Sequence, residues 1–353
     1  MDVEAGDEQH DAEVRFRVVR VPAEVAELRD AVRSDGLFAR DRPLLAMISG
    51  GRDSTCLLDV AVAALGPRGV CALHVNYGLR AAAKDDEHAC RELCRALGVE
   101  LEVVQAPAGA PSPPGGEEGE GNLQAWAREV RYAEARRIAA VRDALIATGH
   151  TASDQAETVL YRLAVSPGRR ALLGMPVVDG RLVRPLLSFT REQTADYCRA
   201  RGLRWREDES NEDERFARTR VRHGLLPGLR AVSSAAERNV ARTAALLREE
   251  TELLEGVVEG ALDGQRHIEI ARLREMPAAL ARMVVVRLAE QAAGKYVPQA
   301  GERVGELLDL ARRGGPAELH VGGNVGALIE DGVLRMVRLP PREGPSDPPP
   351  DGD

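Results

Sequence analysis

The sequence predicts an α/β fold, in which a Rossmann-like parallel sheet is followed by a smaller, mainly helical C-terminal domain. Three observations lead to this prediction. Short apolar runs alternate with helix-like segments over the first half of the chain. These runs are continuously apolar, which is typical of parallel strands that are buried on both faces. Long amphipathic segments then dominate the second half, where apolar residues recur every three or four positions.

The predicted elements follow one another in a regular order. Strands are expected at 43–49, 69–75, 99–105 and 144–149, and helices at 54–66, 84–98, 122–142, 152–165 and 191–202. Gly66 and Gly98 stand at helix ends, where glycine is common. The second half predicts helices at 235–262, 278–294 and 300–314, and short strands or a hairpin within 317–339. We therefore expect a disordered acidic tail at 1–20, a catalytic domain with its linker at 21–232, a helical domain at 233–340 and a disordered tail at 341–353.

Charge is distributed unevenly along the 353 residues. The net charge is −8, but the polar or Pro/Gly/acid-rich segments 1–13, 107–121 and 340–353 carry −6, −3 and −3, which leaves +4 on the rest. A mildly basic folded part permits a nucleic-acid partner without requiring one. No apolar run is long enough to span a membrane, and the acidic N-terminus is unlike a signal peptide, so a cytoplasmic protein is expected. The five cysteines include no CxxC pair, which favours free thiols.

The stretch "AMISGGRDSTCLL" at 46–58 places glycines and hydroxyls where the first strand meets a helix. Glycines allow a ligand to approach the backbone closely, and the first amides of a helix bind anions such as pyrophosphate. The stretch matches neither GxxxxGK[ST] nor GxGxxG. Asp53 beside an anion suggests Mg²⁺ that bridges to phosphates. The alternative is a tight turn in which Asp53 only caps the helix.

Further motifs extend the pattern, and together they resemble the tRNA(Ile)-lysidine synthetases, which are N-type ATP pyrophosphatases with a PP-loop domain. The resemblance covers about 43–229. Its blocks are SGGRDS (49–54), HVNYGLR (74–80), AREVRY (127–132), ATGHTASDQAETVLYRL (147–163), GM (174–175), RPLL (184–187), EDESN (207–211) and ARTRVRHGLLP (217–227).

The resemblance implies a ligase that attaches L-lysine to C2 of the wobble cytidine in a CAU-anticodon isoleucine tRNA. ATP first adenylates the C2 oxygen, which makes it a good leaving group, and the lysine ε-amine then displaces AMP. The products are lysidine, AMP and pyrophosphate, and the tRNA then reads AUA instead of AUG. The expected cofactors are ATP and Mg²⁺. The C-terminal domain is expected to contact tRNA, and the protein is a candidate homodimer.

The matching positions imply roles for individual residues. ATP binding falls to Ser49, Gly50, Gly51, Arg52, Asp53, Ser54 and His74. The catalytic set is Asp53, Asp154, Glu157 and His150, with Mg²⁺ on Asp53 and Asp154. Binding of tRNA or lysine falls to Asn76, Arg80, Arg128, Arg131, Arg184, Asp208, Asn211, Arg218 and Arg222. Asp154 and Glu157 are three apart and so share one helix face, where they could hold Mg²⁺ or the lysine ammonium. Acids that merely favour a helix N-terminus are the alternative.

Three positions depart from the family pattern. Tyr77 and Thr151 stand where histidines are usual, and Ser153 stands where the first of two aspartates is usual. Two other functions remain open on the sequence. One is a different PP-loop tRNA-modifying enzyme, such as a cytidine thiolase, although the missing CxxC pairs count against it. The other is a non-catalytic nucleotide- or RNA-binding module, which would have little use for Asp53, Asp154 and Glu157 around a triphosphate.

Overall fold

The computed structural model describes residues 22–38, 41–78, 83–107, 117–166, 168–206 and 217–340, without the side chains of 117–122, 124 and 218. Arg80, Asp208, Asn211 and the side chain of Arg218 therefore lie outside the described residues, as do both predicted tails. No helix within the described ranges is long and apolar enough to cross a membrane.

The chain divides into two compact units, Met1–Leu247 and Arg248–Asp353. The sequence predicts a boundary near 232, whereas this division falls inside one continuous helix, Ala236–Leu262. Composition does not mark a boundary inside a helix, since the amphipathic pattern continues through it. The predicted domain limits stay a prediction.

The first unit contains a six-stranded sheet in the order β3-β2-β1-β4-β6-β5. All neighbouring pairs are parallel except β5 with β6, which is antiparallel. The strands are β1 (Leu44–Met47), β2 (Val70–Asn76), β3 (Glu100–Gln105), β4 (Leu145–Ala147), β5 (Val178–Asp179) and β6 (Leu182–Val183). The helices are α1 (Ala23–Ser34), α2 (Arg52–Leu65), α3 (Ala83–Leu97), α4 (Glu117–Arg142), α5 (Ala152–Val165), α6 (Arg169–Leu172), α7 (Arg191–Ala200), α8 (Ala217–Arg220), α9 (Leu226–Val232) and α10 (Ala236–Leu262). A π-helical turn, Val221–Leu225, joins α8 to α9.

Both faces of the sheet are covered, as the continuous apolar runs predict. Side chains alternate along β1, so Leu44 and Ala46 lie in a core with α1, α2 and α7. Leu45 and Met47 point the other way and pack against α4. All four β1 residues are buried, which explains why this strand lacks polar positions.

The strand order changes direction at β1. From β1 the chain moves to β2 and β3 on one side, and then returns to β4 on the other side. Ligands in such sheets bind in the crevice beyond the carboxyl ends of the strands on either side of this switch point. Residues 48–51 follow β1 and residues 148–151 follow β4, so both segments border that crevice.

The second unit combines helices with a four-stranded antiparallel sheet in the order β7-β10-β9-β8. Its remaining elements are β7 (His267–Glu269), α11 (Ile270–Glu275), α12 (Ala278–Ala293), α13 (Gln299–Glu302), α14 (Val304–Arg313), β8 (Ala317–Gly322), β9 (Val325–Glu330) and β10 (Val333–Arg338). Apolar residues of α12 and α14 pack on the sheet and form one core. The predicted strands within 317–339 are present. The sequence missed β7, because three residues are too few to show a period.

Two helices differ from the expected pattern. Helix α1 was not predicted, although Val25, Leu28 and Val32 are buried at helical spacing. Helix α4 begins at Glu117 rather than at the predicted residue 122, so the last five residues of the acid-rich segment 107–121 are helical. Glutamates in a first helical turn interact favourably with the helix dipole, and this offsets the low helix propensity of glycine.

Candidate functional site

Residues 49–54 form a tight turn between β1 and α2. Gly50 has a φ of +81°, a conformation that glycine adopts without strain. The Ser54 hydroxyl donates to the Gly51 carbonyl oxygen at 2.9 Å and accepts the Ser49 N–H at 3.2 Å. The turn is thus closed by its own side chains. The first amides of α2, which have no partners within the helix, are the groups that can bind an anion here.

Two neighbouring segments hold this turn in place. A Cβ on Gly149, just after β4, would lie 2.8 Å from the backbone oxygen of Asp53, so only glycine allows this approach. On the other side, the Arg206 N–H donates to the Gly50 carbonyl oxygen at 3.0 Å. The Arg206 guanidinium also pairs with Asp86 of α3, with 3.0 Å between Nε and Oδ1.

The three predicted acids lie around one arginine, Arg191, at the start of α7. Its Nη1 donates to Glu157 Oε1 at 2.6 Å, and its Nη2 donates to Asp154 Oδ1. Its Nε lies 3.9 Å from Asp53 Oδ2. The structure therefore brings Asp53, Asp154 and Glu157 together beside the turn.

Two further groups complete the acid cluster. Arg222 forms a bidentate ion pair with Glu157, with 2.7 Å between Nε and Oε1 and 3.1 Å between Nη2 and Oε2. The Thr194 hydroxyl donates to Asp53 Oδ1 at 2.5 Å. The Glu157 side chain is only 5 % exposed, so Arg191 and Arg222 neutralise the charge of a buried carboxylate.

The protonation of Asp154 follows from its contacts. Burial alone would raise the pKa of this carboxyl, but Arg191, His150 and the Thr151 N–H and hydroxyl lower it below its ordinary value. Burial would likewise lower the pKa of the Arg191 guanidinium, whereas the acids around it raise that pKa above its ordinary value. The pair is therefore fully charged at neutral pH.

His150, which follows β4, is an uncharged imidazole at neutral pH. Burial, together with the charges of Arg184, Arg128 and Arg131, lowers the pKa of His150 to about 4, although Asp154 opposes this shift. Its Nδ1 lies 2.8 Å from the Thr148 hydroxyl. His150 can therefore hydrogen-bond a base or a phosphate, but it does not donate a proton as an imidazolium.

The arginines near His150 form a basic group along α4. The guanidinium carbon of Arg128 lies 4.8 Å from the Tyr132 ring centroid, and that of Arg131 lies 5.8 Å from it. Arg184 is buried and donates to the Pro176 carbonyl oxygen at 2.5 Å. Arg131 Nε and Arg184 Nε are buried atoms without a hydrogen-bond partner among the described residues. Donors of this kind fit an anion.

The remaining predicted residues are held by protein groups. His74 Nδ1 lies 3.2 Å from the Ile48 carbonyl oxygen, one residue before the turn, and 3.4 Å from Cys90 Sγ. Asn76 donates to Glu87 at 2.7 Å. Arg52 Nε donates to Asp53 Oδ1 at 3.0 Å, which holds this side chain against the aspartate next to it.

The carboxylate of Asp53 is better placed to bind Mg²⁺ than that of Asp154. Both Asp154 oxygens accept short hydrogen bonds, from Arg191 and from Thr151. Asp53 Oδ2 has longer contacts, at 3.4 Å to Arg52 Nη2 and 3.9 Å to Arg191 Nε. Within the described ranges, no three His, Cys, Asp or Glu side chains form a protein-only metal cage. That is compatible with Mg²⁺, which commonly takes one or two carboxylates and fills its shell with phosphate oxygens and water.

Sequence reasoning missed Arg191, Thr194 and Arg206. The capping box of Thr190 and Gln193 indicates where α7 begins. It gives no indication that the side chain of Arg191 binds Glu157 of α5, which lies 34 residues earlier in the sequence.

Comparison with known proteins agrees with these features. A family described as the PP-loop domain matches residues 23–229, which implies the use of ATP. Proteins named tRNA(Ile)-lysidine synthase are similar: that of Pseudomonas fluorescens is 39% identical over 220 residues, which is 60% of this chain and 47% of the relative. That of Thermus thermophilus is 38% identical over 85% of this chain and 57% of its own. That of Salinispora tropica is 34% identical over 89% of this chain and 96% of its own.

The chain spans about half the length of the first relatives that it matches. Among solved structures, the U34-tRNA thiolase NcsA from Methanococcus maripaludis covers 64% of this chain, and this chain covers 79% of NcsA, with a TM-score of 0.51 and 16% identity. At this identity the likeness shows the fold alone. The PP-loop match and the nearly full-length Salinispora relative lead to one conclusion: the chain belongs to the PP-loop family and, within it, to the tRNA(Ile)-lysidine synthases.

Proposed function

We propose that the protein uses ATP to attach lysine to C2 of the wobble cytidine of a CAU-anticodon isoleucine tRNA, through an adenylated cytidine. The observation that carries the proposal is the gathering of Asp53, Asp154 and Glu157 around Arg191, directly beside the closed turn at 49–54. A binding module would not need three acids beside a triphosphate site.

The turn after β1 binds the β- and γ-phosphates in this proposal. The backbone amides at Gly50 and Gly51, the Ser49 hydroxyl and the first amides of α2 hold the anion, while the Ser54 hydroxyl, which donates to the Gly51 carbonyl oxygen, keeps the turn closed around it. Asp53 would hold Mg²⁺, which supplies charge neutralisation at the phosphates when bound, and Asp154 would join it by giving up a hydrogen bond from Arg191 or Thr151. Arg52 lies next to Asp53 and adds a second cation at the same place.

The acid cluster serves the second half of the reaction. Asp154 and Glu157 carry charge that Arg191 and Arg222 neutralise in this structure. The incoming lysine offers an ammonium group, which competes with these guanidinium groups for the same carboxylates. The ammonium passes one proton to a carboxylate of the cluster, the resulting ε-amine attacks C2, and the C2–O bond to AMP breaks as the new C–N bond forms. The acids orient the nucleophile and carry its released proton toward solvent.

The tRNA lies along α4 in this proposal. Arg128, Arg136 and Tyr132 line a groove on this helix, and Arg131 and Arg184 add buried donors without a partner within the described part of the chain. Arginines beside an aromatic ring suit both phosphates and an unstacked base. We also propose that the second unit contacts tRNA and that the protein forms a homodimer.

Thiolation is less well supported than lysine transfer. All five cysteines are buried, free thiols. Burial raises the pKa of Cys71 to about 11, and burial also raises the pKa of Cys90 and of Cys94 to about 12. Thiols of this kind are protonated at neutral pH and do not attack as thiolates.

A transfer assay tests the proposal. Purified protein is incubated with ATP, Mg²⁺, labelled lysine and a CAU-anticodon isoleucine tRNA, with a CAU-anticodon methionine tRNA in parallel. We expect label in the isoleucine tRNA and equimolar AMP and pyrophosphate. Asp53→Ala should abolish pyrophosphate release while circular dichroism stays unchanged, whereas Asp196→Asn, an exposed change on α7, should remain active. Absence of label from the isoleucine tRNA, alongside an active control enzyme, would overturn the proposal.

A further inference from the structure

A buried carboxylate outside the acid cluster is connected to it by hydrogen bonds. Glu237 lies in the first turn of α10, and its side chain is 7 % exposed. Its Oε2 accepts a hydrogen bond from the Ser153 hydroxyl at 2.6 Å, and its Oε1 accepts one from Arg230 Nη2. Removing a charged group from water is costly, so such a carboxylate remains only where partners compensate it. Ser153 itself is completely buried.

Ser153 links Glu237 to the start of α7. Its oxygen accepts the Arg191 backbone N–H at 3.1 Å, the first amide of α7. That amide has no partner within its own helix. A serine hydroxyl has a single proton, so donating it to Glu237 turns an oxygen lone pair toward the Arg191 N–H. Glu237 thereby fixes which way the Ser153 hydroxyl is oriented.

The turn fixed in this way carries the contacts to all three acids of the cluster. The Arg191 side chain reaches Asp154 and Glu157 and lies near Asp53. Thr194, one turn later, binds Asp53 at 2.5 Å. A shift of α7 by a few tenths of an ångström would therefore change the position of each carboxylate.

We propose that Glu237 is a positioning residue, which acts through Ser153 on Arg191 and so sets the geometry of the acid cluster. Residue 153 is a serine, whereas the sequence resemblance to the tRNA(Ile)-lysidine synthetases implies an aspartate at this position. Glu237 supplies from α10 the carboxylate that is missing at 153. One carboxylate is thus needed in this buried space, and it can come from either position but not from both.

The proposal predicts a reciprocal effect of two substitutions, and its kinetic measure rests on the proposed function. Glu237→Gln keeps an acceptor but loses the charge, and we expect kcat for lysine transfer to fall about tenfold. Ser153→Asp alone places two carboxylates together, and we expect a loss of about 100-fold. The Ser153→Asp, Glu237→Gln double variant restores one carboxylate and should recover to within about threefold of wild type. The KM for ATP should change less than kcat does, because Ser153 and Glu237 do not contact the backbone amides of the turn at 49–54 and reach that turn only through the contacts of Arg191 and Thr194 with Asp53.

Controls separate positioning from simple stability. Glu249→Gln, an exposed change on the same helix, should leave kcat and the thermal midpoint unchanged. A double variant no more active than Ser153→Asp would overturn the proposal. So would a Glu237→Gln variant with a lower thermal midpoint but a wild-type kcat. If Ser153→Asp fails to fold, folding and activity of the double variant give the same reciprocity. If the wild-type protein transfers no lysine, the proposed function is overturned but the coupling of Ser153 to Glu237 is not. That coupling is then tested by thermal midpoints: the double variant should be more stable than Ser153→Asp alone.

Discussion

Gly149 is the position where a single methyl group tests the geometry of the site. A Cβ there would lie 2.8 Å from the Asp53 backbone oxygen, 2.9 Å from its carbonyl carbon and 3.1 Å from the Ser54 nitrogen. All three are backbone atoms, so no rotamer change relieves the overlap. Gly149 does not need a positive φ, so close contact is the only obstacle to alanine.

Gly149→Ala should therefore weaken both folding and ATP binding. Overpacking of this kind costs about 1–3 kcal/mol, which lowers the thermal midpoint of a domain of this size by about 2–12 °C. The overlap is relieved by moving the first turn of α2, which carries the amides that we propose bind the phosphates. Since about 1.4 kcal/mol is a tenfold change in affinity, we expect the Kd for Mg·ATP to rise about tenfold.

Differential scanning calorimetry and isothermal titration with a non-hydrolysable ATP analogue measure these two effects. Gly228→Ala is the matched control, because Gly228 lies within α9 and a Cβ there meets no atom within 4 Å. It should raise the free energy of unfolding by about 0.5–1 kcal/mol, since alanine is the better helix former. A Gly149→Ala protein with wild-type midpoint and ATP affinity would refute the close contact between the segments after β1 and β4.

Three other predictions each concern one side chain. Asp59→Asn should lower the free energy of unfolding by about 2–3 kcal/mol in urea denaturation, because Asp59 is buried and binds Arg29, Arg201 and the Tyr197 hydroxyl; an unchanged midpoint would contradict this. The pKa of His150 is lower in the folded than in the unfolded protein, so the free energy of unfolding should fall by about 3 kcal/mol as the pH drops from about 6.5 to about 4. This loss should be absent from His150→Asn. Equal pH profiles of stability for the two proteins would refute the prediction. Glu157→Gln keeps an acceptor oxygen but removes the negative charge that Arg191 and Arg222 share, so the KM for lysine should rise at least tenfold in steady-state kinetics with the KM for ATP unchanged. A selective rise in the KM for ATP would contradict the assignment.

The predicted sheet and turn depend on information that is local in the sequence. Each core strand is a continuous apolar run, and the four predicted strands overlap β1 to β4. The glycines and hydroxyl side chains of 49–54 predict a strand-to-helix turn, because the backbone conformations and hydrogen bonds that they favour involve only neighbouring residues. The two-residue strands β5 and β6 were missed, since pairs of residues show no period.

The acid cluster could be predicted in part. Asp154 and Glu157 were identifiable because their spacing places them on one helix face. Arg191 was not, since its role depends on the packing of α7 against α5 rather than on its neighbours in sequence. Arg222 was expected at a tRNA or lysine site and is paired with Glu157 here. Glu237 is 84 residues from Ser153, and no pattern in the chain relates the two.

The direct backbone contact between Gly149 and Asp53 has an evolutionary consequence. In the proposed function, the nucleotide half of the crevice is built from main-chain atoms of two adjacent loops, where a side chain added at Gly149 would overlap the backbone of Asp53. The acceptor half is built from side chains that project from α5, α7 and the π-helical turn. If these roles hold, a different attacking nucleophile can be accommodated by changing side chains on α5, α7 and the π-helical turn, while the backbone contact between Gly149 and Asp53 is kept.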